Sequence, residues 1–182
     1  MKSTKFPRNT KKIHYNSKEE YLGDIEEDIA YEFLKKVLGF NKYFEPLSDE
    51  DGNIWGFQKY PDKNSRLDFC IPELFTEFEV KSDLKSKYWF QYPRKIFHKG
   101  KFEYFLKNTQ SQTLVIIFMT KDRLGMIILR RGIDFEDNGT PKGFIEGYGR
   151  KEDNYFIPQE MFHTWDIKSF RKEYYKIYQV SL

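Results

Sequence analysis

Arg66-Leu67-Asp68-Phe69-Cys70-Ile71-Pro72-Glu73-Leu74-Phe75-Thr76-Glu77-Phe78-Glu79-Val80-Lys81 is the stretch that decides how this chain folds. Two runs of alternating apolar and polar residues flank a Pro-containing turn, the pattern of a β-hairpin. Arg66–Ile71 is expected as one strand, Pro72–Phe75 as the turn and Thr76–Lys81 as the return strand. With the hairpin centred on Glu73/Leu74, opposed residues have numbers summing to 147, so Asp68 faces Glu79 across the sheet. Strand alternation places Glu77, Glu79 and Lys81 on that face and Phe78 and Val80 in the core, with Leu67, Phe69 and Ile71 completing the buried side. Opposed carboxylates repel, and a divalent cation between them removes the conflict. Hard oxygen ligands suit Mg²⁺, which takes one or two carboxylates and keeps several waters.

Upstream, a helix is expected from Lys18 to Leu38. Ser17 and Glu20 form a capping-box pattern, Ile25, Ile29, Ala30, Phe33, Leu34, Val37 and Leu38 a helical stripe, and Gly39 a C-terminal stop. Residues 40–64 hold one or two strands (Lys42–Pro46, Ile54–Gln58) around an Asp51-Gly52-Asn53 turn. Downstream, a second helix is expected over much of 85–107, with Pro93 bending or restarting it. Thr113–Thr120 is a continuous apolar run, as for a strand buried on both faces, and Leu124–Leu129 returns beside it after a turn at Lys121–Arg123. Residues 132–153 are polar and Gly-rich, and a last helical stretch, 158–178, starts at Pro158. Helix, strands, helix, strands is an α/β order, which predicts a mixed central β-sheet flanked by helices. No repeat or linker divides the chain, so a basic arm (1–17) and one domain (18–182) are expected.

The net charge of +3 is small, but its distribution is uneven. Residues 1–18 carry Lys2, Lys5, Arg8, Lys11, Lys12 and Lys18 and no acid. Between 81 and 107, Lys85, Lys87, Arg94, Lys95, Lys99, Lys101 and Lys107 interleave with Tyr88, Trp89, Phe90, Tyr92 and Phe97. Such a mixture suits phosphate contact plus stacking on bases or sugars, and the competing reading is a solvated Lys-rich face. The longest apolar run, Leu114–Met119, is far below the roughly 20 residues that span a bilayer. The first residues lack a secretory apolar core, and the single Cys70 excludes an internal disulfide, so a soluble, cytoplasmic protein without membrane partners is expected. His14, His98 and His163 show no zinc spacing, no phosphate-binding GxxxxGK[ST] occurs, and Cys70 lacks a paired His.

Asp68, ten intervening residues and Glu79-Val80-Lys81 resemble the D-x(n)-E-x-K signature of the PD-(D/E)xK nuclease superfamily, which includes type II restriction enzymes and archaeal Holliday-junction resolvases. The resemblance covers roughly residues 18–130 and leaves 131–182 as a C-terminal extension. It implies a restriction-endonuclease-like core of α-β-β-β-α-β order, with Asp68, Glu79 and the Val80 carbonyl as ligands of Mg²⁺, or Mn²⁺ in its place. Lys81 would orient the attacking water and offset charge on the phosphate. The family's first-helix glutamate maps to Glu27 through Gly23-Asp24-Ile25-Glu26-Glu27, with Glu26 the alternative. Gln91 matches a polar residue that relatives place on the following helix. The literal Pro61-Asp62 pair precedes the hairpin and Leu67 takes the motif's proline position, but hairpin register favours Asp68. The implied activity is metal-dependent hydrolysis of DNA, more as an endonuclease than an exonuclease, leaving a 5′-phosphate. A homodimer is compatible with cutting two strands. A non-catalytic nucleic-acid-binding protein, or an endonuclease subunit active only within a complex, are the alternatives.

Overall fold

The apolar stripe after residue 17 folds as a helix, α1 (Lys18–Lys36), which buries Ile25, Ile29, Ala30, Phe33 and Leu34. The computed structural model describes residues 18–37, 47–48, 54–55, 58–59, 67–83, 94–148 and 153–177. The basic arm, the Ser17 cap, the Gly39 stop, the Lys42–Pro46 strand and Pro61-Asp62 lie outside them. After α1 come β1 (Leu47–Ser48), β2 (Ile54–Trp55), β3 (Gln58–Lys59), β4 (Phe69–Ile71) and β5 (Thr76–Ser82). Then follow β6 (Arg94–His98), α2 (Lys99–Asn108), β7 (Thr113–Met119), β8 (Arg123–Arg130), β9 (Ile145–Tyr148), β10 (Asp153–Pro158), β11 (His163–Asp166) and α3 (Lys168–Ile177).

The main sheet is mixed and six-stranded, in the order β11-β8-β7-β5-β4-β3. Among the described strands only β5 and β7 run parallel, joined by a long crossover that contains α2, as parallel neighbours require. Strands β6, β10 and β9 form a second, antiparallel sheet, and β1 pairs with β2. The run Thr113–Met119 is buried on both sides, as its continuous apolarity predicts. Val115, Ile117 and Met119 pack with α1, Ile167, Tyr174 and Tyr175 on one face. Leu114, Ile116 and Phe118 pack on the other face with Phe102 and Phe105 of α2 and with Tyr155 and Ile157 of the small sheet.

Four expectations are corrected. The helix over 85–107 is a strand, β6, before it is a helix: residues 94–98 pair with β10 in full register, and α2 starts only at Lys99. Extended residues after Pro93 and a partner strand sixty residues away outweigh local helical pattern. The stretch 158–178 is likewise split into a 3-10 turn, β11 and α3, and the loop 132–153 contains β9. Leu67 belongs to the α2-side core, opposite Phe69 and Ile71, because Leu67 and Asp68 form a bend before β4 rather than continuing its alternation.

Two local devices position the hairpin and α2. Phe75 ends the Pro72–Leu74 turn in the left-handed region (φ 47°), and its carbonyl accepts the N–H groups of Gln112 and Thr113, docking the hairpin end on β7. Arg131 closes the C-terminus of α2: its guanidinium donates to the carbonyls of Phe105, Leu106, Thr109 and Ser111, groups that a helix end leaves unpaired.

Candidate functional site

Strand β4 covers only the first half of β5. Phe69 pairs with Phe78, Cys70 with Glu77 and Ile71 with Thr76, the register expected from the sequence. At Asp68 the ladder stops. The Asp68 N–H donates to the Phe78 carbonyl (3.0 Å), and its side-chain Oδ2 accepts the Val80 N–H at 2.6 Å. A carboxylate thus replaces a backbone carbonyl as the acceptor, and β5 continues from Glu79 to Ser82 held by β7 on its far side.

Glu79 is opposite Ile116 in the parallel register, so it faces α2 rather than α1. It is buried, and Lys101 of α2 sits across it, with Nζ 2.8 Å from Oε1 and 2.9 Å from Oε2. Burial and the neighbouring Asp68 carboxylate push the Glu79 carboxyl well above the ordinary carboxylate range, against the opposing pull of Lys101 and Lys81. Lys81, half-buried and two residues along the same strand, adds its positive charge to the cluster. The structure therefore brings Asp68, Glu79 and Lys81 together and adds Lys101. Glu77 shares the face of Glu79 but is fully engaged in the interior, where Ser111 Oγ donates to it at 2.9 Å. Cys70 is buried opposite Glu77 and forms no disulfide.

The first-helix acids divide. Glu26 is turned into the core, where Arg171 Nε and Nη2 donate to its two oxygens at 3.1 and 2.7 Å and Tyr175 donates its hydroxyl. Glu27 is half-buried on α1. Among the described residues no group of three or more His, Cys, Asp and Glu side chains is placed to hold a metal ion, so neither acid joins Asp68 and Glu79 as a third ligand here. The pair itself fits a hard divalent cation in donor chemistry: two carboxylates forced together in a poorly solvated place, with the Val80 backbone beside them.

Of the basic residues read as DNA contacts, Lys85, Lys87 and Gln91 lie outside the described residues. Arg94 and Lys95 stand on β6, not on a helix, opposite Pro158 and Ile157. Lys99 pairs with Glu146 (3.2 Å) and lies over the Tyr155 ring, and Lys101 pairs with Glu79. Sequence reading missed both buried ion pairs. One signal was available: Arg171 falls in a helically spaced apolar stripe formed by Ile167, just before α3, and Tyr174 and Tyr175 within it, where a charge must find a buried partner. Among the described residues no helix is long and apolar enough to cross a membrane. No family model, curated protein or solved structure matches the chain.

Proposed function

We propose that the chain is a Mg²⁺-dependent deoxyribonuclease whose centre is Asp68, Glu79 and Lys81. The observation that carries this reading is the Asp68 carboxylate clamped on the Val80 N–H beside buried Glu79, at the point where β4 leaves β5. A buried carboxylate crowded by a second, half-buried one is costly to maintain for structure alone, and it suits a site that binds a cation. Apart from the β1–β2 pair and β6, which lie outside the main sheet, the order α1, β3, β4, β5, α2, β7, with β5 and β7 parallel, supports the restriction-endonuclease-like core expected from the resemblance.

In this reading Asp68, Glu79 and the Val80 carbonyl would hold the ion. When bound, Mg²⁺ supplies Lewis-acid polarisation and a more acidic water. The chain's own residues do the rest. The Val80 N–H fixes the orientation of the Asp68 carboxylate. The Lys81 ammonium orients a water and offsets charge that develops on phosphate oxygens. Lys95 and Arg94, together with the basic residues before them, supply backbone contacts to DNA. The direct test is incubation of the purified chain with linear, single-stranded, branched and flap DNA in Mg²⁺, Mn²⁺ or EDTA. Metal-dependent cutting that Asp68→Asn and Lys81→Ala abolish is expected; absence of cutting on every substrate would sink the proposal.

One observation favours a second reading, a non-catalytic nucleic-acid-binding protein: Lys101 already spans both oxygens of Glu79. Salt-sensitive DNA binding without cleavage would select it.

A further inference from the structure

Lys101 occupies both oxygens of Glu79, the atoms through which that carboxylate would hold a cation. Its ammonium reaches both carboxylate oxygens, at 2.8 and 2.9 Å, so it covers the carboxylate edge on the α2 side. An ammonium and a divalent ion cannot share that edge, because two positive charges repel strongly at such separations in a poorly solvated site. A metal that takes that edge therefore requires one of the two partners to move. Glu79 is held on β5, between Phe78 and Val80, with its side chain 6% exposed. Lys101 reaches in from a helix on a long flexible stem and is 26% exposed, so a change of rotamer carries its charge to solvent without moving the backbone.

We infer that Lys101 is a resident counter-ion of Glu79 that a divalent cation displaces, releasing its ammonium to meet a phosphate of the nucleic acid; this rests on the metal-dependent reading above. The exchange has a structural consequence. Without metal, the negative charge of the Asp68/Glu79 pair is offset by Lys101, so the hairpin can fold before the ion arrives. With metal, a positive charge appears at the mouth of the site only when the site is ready for substrate. Lys101 thus has two successive partners, the Glu79 carboxylate before the ion arrives and a nucleic-acid phosphate after it, and takes no part in breaking the phosphodiester bond.

The test is reductive methylation of the full native chain with formaldehyde and a mild reductant, read lysine by lysine by mass spectrometry, with and without Mg²⁺. Binding is followed in parallel by electron paramagnetic resonance of Mn²⁺. Lys101 should react about five-fold faster once metal is bound, as expected when a protecting ion pair opens. Lys107, paired with Glu103 on the exposed face of α2, serves as the reference and should not change. Glu79→Gln should show the fast Lys101 rate without metal. A short phosphorothioate duplex added with Mg²⁺ should slow Lys101 again. Mn²⁺ binding with an unchanged Lys101 rate overturns this inference and leaves the metal-dependent reading standing. No Mn²⁺ binding overturns both. A Lys101 rate that DNA leaves untouched overturns the phosphate contact alone.

Discussion

Two buried acid–base pairs flank the main sheet, and they are built differently. On the α1 side, Glu26 meets Arg171, both side chains 1% exposed. The guanidinium donates once to each carboxylate oxygen and once to the Thr120 carbonyl, while Tyr175 donates to Glu26 Oε1, the oxygen that Arg171 Nε also meets. This ties α1, α3 and the end of β7 into one unit. On the α2 side, Glu79 meets a single ammonium that remains partly in solvent, and a second carboxylate, Asp68, crowds it. The first pair is bidentate and enclosed, the geometry of a permanent joint. The second keeps its ammonium partly in solvent, and the like charge beside it is what the proposed exchange for a divalent cation would relieve. Burial of a glutamate is therefore a poor guide to function; the partner's chemistry and its access to water discriminate better.

The comparison breaks if the two pairs respond alike to substitution. Largest in effect, Lys81→Ala should lower Mg²⁺-dependent cleavage by about 10²–10³-fold, the scale of losing one preorganised charge-stabilising group. Its midpoint in thermal unfolding should stay near that of the native chain, which a gel assay paired with calorimetry would check. Arg171→Met should cost about 3–5 kcal/mol in urea unfolding, since it strands a buried carboxylate. Adding Glu26→Leu to it should recover part of that loss. Lys101→Met should cost only ~1–2 kcal/mol, because its pair is partly solvated. An equal cost for Arg171→Met and Lys101→Met would mean that both joints are structural.

The smallest effect is a pH dependence. The folded chain holds the Glu79 proton more tightly than the unfolded chain, because burial and Asp68 raise its pKa. Stability relative to Glu79→Gln is therefore greatest below the ordinary carboxylate range. It falls as pH rises from there through the raised folded value. Unfolding curves of both proteins between acid and neutral pH should show the gap moving in favour of Glu79→Gln. A gap that moves the other way would mean that Lys101 dominates the site.

The hairpin was legible because it is local. Alternation from Phe69 to Ile71 and from Thr76 onward, with Pro72 opening the turn, specifies a register that the structure reproduces pair for pair. The α1 stripe and the β7 run were legible for the same reason: each apolar pattern matches the period of its element. Residues 94–98 were not, because their strand exists only by pairing with β10. Leu67 was misplaced because a bend interrupts the alternation by which a strand is read.

By itself the sequence determined the pairing of Phe69–Ile71 with Thr76–Phe78, since hairpin register depends on turn position and chain connectivity alone, whereas Asp68 is set beside Glu79 by the bend and its hydrogen bond to the Val80 N–H. It also determined that Lys81 shares the face of Glu79, which follows from the two-residue period of a strand. Tertiary structure alone decided which cations answer the buried acids. Lys101 reaches Glu79 from a helix that follows β6, and Arg171 reaches Glu26 across 145 positions of chain. A charge's partner is chosen by distance and solvent exclusion, and both arise only when the sheet and its helices have packed.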